Sequence, residues 1–533
     1  MILKRFFYFF FFILFFFIII TYFNRNFFNG LQKINFYENK NYFFKNENLL
    51  NNINNSKIFI KTDLFNIVIN LLNGNIEKLS LCNYKEKLNS EKILTILNNK
   101  KDNIYQAKTE IIQNYKNNII KKKNIFFFTE KKFFELEKNN FFLFVPMYNI
   151  SNDGVIFTKT FIFKKNSYDI EIQYKINNFT NKKINFNFYN KLIKNINGSN
   201  NKYFFLNNLF SKEYNNLSYS SDNKKFVNLK LNDIHDNNIS TSSGWISILQ
   251  QYFFSSWIPK INEINDIYIK KNYDNYIEIG YIFKNFLINP YSFGVFSSKL
   301  FVGPKIYDKI YFLAPNLNLI IDYGFFSFIS KPLFKLLNFF YFYTNNWGFS
   351  IISITLFIKI LLYPITKSQY ISMCKIKLLQ PKINYIKKKF NNDKQKMSKK
   401  LMYLYKKNKI NPLGGCLPIL IQMPIFLSLY NMLNNSIELR HSPFIFWIKD
   451  LSEKDPFYFL PFLMGFTMWY LQKESINNIS DNFQKIIMNI IPFIFSFFFI
   501  WFPSGLVLYY FISNMITIFQ QCWISYFFKK HIN

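Results

Sequence analysis

A run of almost unbroken apolar residues, Phe6 to Phe23, follows Lys4 and Arg5, and several more runs of similar length crowd the last third of the chain. At about 1.5 Å per residue, roughly 18 such residues make about 27 Å of helix, enough to cross the hydrocarbon core of a bilayer. A chain written this way divides itself between lipid and water, and its near-zero mean hydropathy averages two unlike regions.

The first run has two readings. A secretory signal peptide carries a shorter apolar stretch followed by a small-x-small cleavage site, whereas Asn24, Arg25, Asn26 and Phe27 follow here. The run is therefore expected to stay as an uncleaved anchor over residues 1–23, with Met1 on the cytoplasmic side beside Lys4 and Arg5.

Residues 24–321 contain no comparable run. Lys57 to Ile69, Phe157 to Phe163, Tyr168 to Ile176 and Ile184 to Tyr189 alternate β-branched or aromatic residues with polar ones, the period of half-buried strands. Asn73-Gly74 and Asp153-Gly154 supply turn chemistry, and the Asn-rich tract from Asn195 to Asn201 reads as a loop. The pattern predicts a large antiparallel β-sandwich, exported because the first helix points outward.

Helical patterning takes over after Asp322. Residues 322–345 are expected to lie in the membrane interface, because Lys331, Pro332 and Lys335 interrupt an otherwise apolar helix. Further spans are expected at 346–366, 413–433, 457–471, 486–502 and 503–528, six in all with the anchor. Lysine placement tests this topology independently: between Lys367 and Lys409 fourteen lysines stand against Asp393 alone, which puts 367–412 in the cytoplasm. The segment 434–456 balances Arg440, Lys449 and Lys454 against Glu438, Asp450, Glu453 and Asp455, so it belongs outside. The stretch 472–485 returns to the cytoplasm, and Lys529 and Lys530 hold the tail 529–533 there.

Within the basic segment Ile376, Leu379, Ile383, Ile386 and Phe390 recur at spacings of three and four, as do Met397, Leu401 and Leu404. Two such stripes separated by Asn391-Asn392-Asp393 predict an antiparallel helical hairpin, weakened locally at Pro381. It is either a solvated charged element or a docking surface for the ribosome, signal recognition machinery or lipid headgroups.

The formal charge of +35 would suggest nucleic acid, but the lysines are scattered through every polar stretch and arginine occurs only at positions 5, 25 and 440. Four cysteines without C-x-x-C spacing and three isolated histidines offer no disulfide framework, metal site or catalytic triad. No catalytic residue, metal or cofactor is therefore expected.

The candidate functional group is Lys359, set inside the apolar sequence from Thr355 to Pro364. A charge within a span costs about 2.5–3.5 kcal/mol on insertion scales, so it either snorkels to the interface or faces a polar cavity. Thr355, Gln422, Tyr509, Tyr510, Ser513, Asn514 and Thr517 are also polar and at membrane depth. Such groups either bond helix to helix or together line a wet groove. No acidic residue lies mid-span, which removes the usual carboxylate of proton- or cation-coupled carriers.

Several motifs in order then become specific: Asn346-Trp347-Gly348-Phe349, Tyr363-Pro364, Gln380-Pro381-Lys382, Asn411-Pro412-Leu413-Gly414-Gly415-Cys416, Pro418 with Gln422-Met423-Pro424-Ile425-Phe426, and Trp501-Phe502-Pro503-Ser504-Gly505 leading to Tyr509-Tyr510. This series resembles the YidC/Oxa/Alb insertase family. The exported part is similar to the bacterial form of that family through Lys61-Thr62-Asp63, Phe157-Thr158-Lys159-Thr160-Phe161, Gly244-Trp245 and Gln250-Gln251-Tyr252-Phe253.

The resemblance implies a cofactor-free insertase. A hydrophilic groove in the inner leaflet receives the polar tail of a nascent membrane protein, while its apolar segment slides along greasy helix faces into the bilayer, with or without the Sec translocon. By the same resemblance Lys359 is the groove cation with Thr355 beside it and Tyr510 opposite, Gln422 and Tyr509 share the groove, and Met423, Pro424 and Phe426 form the sliding face. Members of this type usually carry arginine where this chain has Lys359, and the short tail after Phe528 offers little for ribosome contact. Two rival classes remain at this stage: a transporter or channel, which would show internal symmetry, and a carbohydrate-binding or carbohydrate-acting module in the sandwich, which has His235 but no evident carboxylate pair.

Overall fold

The computed structural model describes residues 56–100, 103–114, 120–122, 124–151, 153–195, 216–229, 237–271, 276–390, 393–408, 417–476 and 482–530. The expected anchor 1–23, most of the Asn195 to Asn201 loop, the Asn391-Asn392 turn, the 411–416 motif, His235 and the last tail residues lie outside them. The described residues divide into two compact units, one ending at Asp322 and one beginning at Tyr323.

The first unit is a β-sandwich. Its 11-stranded sheet runs Asn237–Thr241, Asn265–Lys271, Tyr276–Ile288, Ile184–Asn195, Asn103–Asn114, Ile93–Lys100, Asn75–Lys85, Phe65–Asn70, Lys57–Lys61 and Phe133–Glu135, with Ile120–Lys122 paired beside Asn103–Asn114. The 8-stranded sheet runs Val227–Leu229, Asn216–Ser220, Trp245–Leu249, Phe253–Ile258, Ser292–Pro304, Asp169–Asn178, Val155–Lys164 and Phe142–Ile150. The pairing is antiparallel except where Lys57–Lys61 meets Phe133–Glu135 in parallel.

Alternation builds the core. Along Val155–Lys164 every second residue is buried, as a strand with one face on the core requires. Rings from the two sheets meet between them: Phe188 stacks on Phe296 with centroids 4.0 Å apart, and Phe157 meets Phe186 edge-on at 5.7 Å. The turns fall where the sequence placed them, with Asn73, Gly74 and Gly154 all at positive φ. The Lys57 to Ile69 run folds as two strands because the Thr62 hydroxyl accepts from the Phe65 N–H at 3.0 Å and turns the chain.

The same parity places Lys159 inward between Phe157 and Phe161, completely buried. Its Nζ donates to the carbonyl oxygens of Gly74 at 2.6 Å and Asn73 at 3.2 Å and to the Thr109 hydroxyl at 2.6 Å. The amine thus ties a hairpin turn of one sheet to a strand of the other. Gly74 permits the approach, since a Cβ there would stand 2.9 Å from Met147 Cε and 3.1 Å from Lys159 Cδ.

The second unit is helical: α1 (Ser327–Thr344), α2 (Trp347–Leu361), α3 (Tyr363–Lys389), α4 (Lys394–Lys407), α5 (Leu417–Asn435), α6 (Phe459–Ile476), α7 (Asn482–Phe499) and α8 (Ser504–Lys530). Asn345 ends α1 in the left-handed region, and the Asn346 carboxamide oxygen caps α2 by accepting from Gly348 N at 2.9 Å and Phe349 N at 3.3 Å. Asp393 caps α4 through the Lys396 N–H at 3.0 Å. In α3 and α4 the predicted apolar stripes are the more covered positions: Ile383 is buried, and Leu379, Ile386, Met397, Leu401 and Leu404 are half-buried among exposed neighbours.

The segment expected as one span at 346–366 is divided. α2 stops at Leu361 and α3 sets off from Tyr363 at a bend of 61°. Pro364, in the first turn of α3, has no N–H to continue the ladder of α2 and its ring crowds the preceding turn. Pro381, by contrast, is carried within α3. Among the described residues no single helix is long and apolar enough to cross a membrane, while α2 joined to Tyr363–Ile376 is, by length and composition.

The 434–456 segment is folded onto the bundle. A β-carbon on Gly348 would fall 2.0 Å from Phe444 Cδ2, so α2 starts in direct contact with this segment. Ser504 N and Gly505 N, opening α8, donate to Glu453 O at 2.8 Å and Leu451 O at 2.9 Å. Asp455, nearly fully buried, accepts from Trp447 Nε1 at 3.0 Å and from Leu460 N at 2.7 Å, which pins the loop to the start of α6.

Candidate polar groove

α2, α5 and α8 bring one cation and several neutral polar groups together. Lys359, near the C-terminus of α2, is only 8% exposed. Its Nζ donates to Gln422 Oε1 on α5 at 3.2 Å and to Thr517 Oγ1 on α8 at 2.9 Å. The Gln422 amide passes the network on, donating to Tyr509 Oη and Ser513 Oγ at 3.3 Å each. Tyr509, Ser513 and Thr517 are each four residues apart, so one face of α8 presents all three.

The elements explain the placement. α8 is apolar apart from this face and a few others, and its polar side turns inward: Ser513 and Asn514 are buried, and Asn514 Nδ2 donates to Thr467 Oγ1 on α6 at 3.2 Å. The outer side of the bundle carries the large apolar groups, with Phe342, Ile360, Phe462, Phe466, Phe493 and Phe497 all exposed. This is the reverse of a water-soluble helical bundle.

Among the described residues no carboxylate pairs with Lys359, although several lysines of the chain do have such partners. The ammonium is solvated by neutral oxygens alone. A buried cation in that state attracts an anionic group more strongly than one already neutralised, because the low-dielectric surroundings leave its field unscreened.

Thr355 lies one turn before Lys359 and is fully buried, but its hydroxyl donates to Ile351 O of its own helix at 2.5 Å rather than to the ammonium's neighbours. Tyr510 was expected opposite the cation. The structure instead packs its ring with Phe426 and Phe499, centroids 5.8 and 5.3 Å away. Adjacent residues on a helix diverge by about 100°, so only one of Tyr509 and Tyr510 can meet Gln422, and it is Tyr509. On α5, Met423 is half exposed, while Pro424 and Phe426 are half-buried. Sequence reasoning missed Gln520, whose Nε2 donates to the Lys359 carbonyl oxygen at 3.2 Å; its position three residues after Thr517 on the polar face was the available signal.

Two family models match the chain: one described as the YidC periplasmic domain over residues 57–336, and one described as the 60Kd inner membrane protein over residues 339–531. A membrane protein insertase YidC from Buchnera aphidicola subsp. Baizongia pistaciae is 48% identical over 90% of this chain and 91% of its own length. The protein of that name from Wigglesworthia glossinidia brevipalpis is 45% identical over 89% of this chain and 88% of its own. A crystal structure of an active YidC insertase with its first transmembrane domain resolved aligns over 87% of this chain and 92% of its own, at 17% identity and a TM-score of 0.37. By family models that divide nearly the whole chain between them, and by close relatives matched almost end to end, the chain belongs to the YidC family of membrane protein insertases.

Proposed function

We propose that this insertase receives the polar, often acidic, tail of a nascent membrane protein in the groove around Lys359, while the client's apolar segment slides along α5 and α7 into lipid. The observation that carries the reading is the Lys359 ammonium, buried between three helices with neutral partners only. Gln422, Tyr509, Ser513 and Thr517 supply hydrogen-bond partners for groups that would cost several kcal/mol if stranded in hydrocarbon. Met423, Pro424 and Phe426 form the adjoining apolar side. Burial of the client segment drives completion, and no chemical step or cofactor is required.

The topology that fits this reading has six spans, both termini and the α3–α4 hairpin in the cytoplasm, and the sandwich and 434–456 loop outside the inner membrane. The bundle's apolar exterior and polar interior support it, as does the lysine excess of residues 367–409. The Sec translocon and, through the basic hairpin, ribosome or signal recognition machinery fit as partners.

The test is protease protection of a small single-span client with an acidic tail, in liposomes that contain only this chain. Protection is expected with the native chain and is expected to fall with Lys359→Ala. If the variant protects the client as well as the native chain does, Lys359 has no part in tail reception.

A further inference from the structure

The bend between α2 and α3 leaves the backbone carbonyl of Lys359 without its helical donor. In a continuous helix Lys359 O would accept from Tyr363 N, but the helix breaks at Leu362, whose own N–H turns back to Ile358 O and Ile360 O. A bare carbonyl inside an apolar bundle is costly, and the turn that carries it would fray. The donor at Lys359 O comes from another helix: the Gln520 carboxamide of α8, 7% exposed, donates to it at 3.2 Å.

We infer that Gln520 is a positioning residue for the groove cation, replacing the missing backbone donor at the α2–α3 bend and so fixing the direction in which Lys359 reaches. α8 then holds Lys359 twice, by its main chain through Gln520 and by its ammonium through Thr517 one turn earlier at 2.9 Å. One contact holds the main chain of Lys359 and the other the end of its side chain, so the residue is tied to α8 at both. Gln520 Oε1 is buried without a hydrogen-bond partner among the described residues. That orientation leaves an acceptor unsatisfied, and it is kept because the amide nitrogen is needed at the carbonyl.

This inference rests on the reading of Lys359 as the tail-receiving cation, and the experiment separates the two. Insertion of one single-span client is measured with an acidic tail and with a neutral tail of equal length, for the full-length native chain, Lys359→Ala, Gln520→Leu and the double variant. Gln520→Leu, similar in volume but without the amide, is expected to lower acidic-tail insertion on the order of fivefold, the range of one lost hydrogen bond, and to leave the neutral tail unchanged. On the Lys359→Ala background it is expected to add nothing. An equal loss for both tails would show a merely structural role, and an additive loss in the double variant or no loss at all would likewise overturn the inference. If Lys359→Ala itself treats both tails alike, the groove reading falls and takes this inference with it; if Lys359→Ala discriminates and Gln520→Leu does not, only the inference falls.

Discussion

Among the described residues each unit contains a lysine with less than a tenth of its surface exposed, Lys159 and Lys359, and the two are held differently. Lys159 in the sandwich is completely buried and is met by three oxygens, two of them backbone carbonyls of a fixed turn, with the Phe161 and Tyr174 rings each 5.1 Å from the amine. Lys359 in the helical unit keeps 8% exposure and is met by two side-chain oxygens on two other helices. The first site is closed and saturated, so it has nothing left to offer a ligand. The second has bonding capacity to spare, since two acceptors meet an ammonium that has three donors. A buried amine alone therefore does not mark function; what its partners leave unused does.

The largest expected effect comes from breaking the closed site. Lys159→Met removes the donor shared by Gly74 O, Asn73 O and the Thr109 hydroxyl and is expected to cost about 3 kcal/mol of sandwich stability. Hydrogen exchange of peptides from Asn75–Lys85 and Asn103–Asn114, measured on the full chain, would show it as faster exchange of those strands. Insertion per folded molecule should not change. If the strands keep their protection, Lys159 is a passenger in the core rather than its tie.

The same lysine gives the sandwich a pH dependence. Burial holds its amine well below the ordinary lysine range, so unfolding takes up a proton at any pH between the folded pKa and the unfolded value of about 10.4. Where the unfolded state binds more protons, stability rises with pH. The sandwich is therefore expected to gain protection as pH rises through that window toward about 10. Beyond that, Tyr174, whose pKa burial raises, contributes with the opposite sign, because the folded state then binds the extra proton. Lys159→Met should shrink the rising part of the profile without abolishing it, because burial also lowers Lys194 and Lys305, each to about 8, and an unchanged slope would assign the whole rise to those two.

How far the sequence foretold this contrast depends on the period of each element. Lys359 stood out because a charge interrupts an apolar run, and Gln422, Tyr509 and Thr517 because they are polar at the same depth. Lys159 was equally legible in principle: it shares the parity of Phe157, Phe161 and Phe163, which a period of two puts on the core face. A lysine in a strand of a lysine-rich chain draws no notice unless that parity is followed. The choice between Tyr509 and Tyr510 needed the rotational phase of α8, and a run of apolar residues on all sides does not set it. The break at Leu362 was written in Tyr363-Pro364, but a proline does not always break a helix: Pro364 opens α3 in its first turn and Pro381 is carried within it.

The same substitution in the open site should invert the result. Lys359→Met removes a desolvated charge and leaves Gln422 and Thr517 with other partners, since Thr517 Oγ1 also donates to Ser513 O at 2.8 Å and Gln422 to Tyr509 and Ser513. The bundle is expected to lose no more than about 1 kcal/mol, read by thermal unfolding in detergent. Insertion of an acidic-tail client is expected to fall about tenfold, equivalent to ~1.4 kcal/mol of lost attraction. A variant that loses stability and keeps insertion would make Lys359 another Lys159, and the contrast between the two units would collapse.

The smallest effect concerns which cation fills the open site. Lys359→Arg keeps the charge and exchanges a compact ammonium with three donors for a planar fork with five. If the groove reads charge, the variant should insert an acidic-tail client within about twofold of the native chain, on the side of improvement, because a guanidinium can satisfy Gln422 and Thr517 and still hold a carboxylate with its second edge. If it reads shape, the longer side chain will displace the Gln422 and Thr517 contacts and insertion will drop toward the Lys359→Met level. Measuring both tails distinguishes these outcomes: a charge-reading groove keeps its preference for the acidic tail with arginine, whereas a shape-reading groove loses it. The first result would make lysine and arginine alternative solutions to one electrostatic requirement, with α8 supplying the geometry in either case.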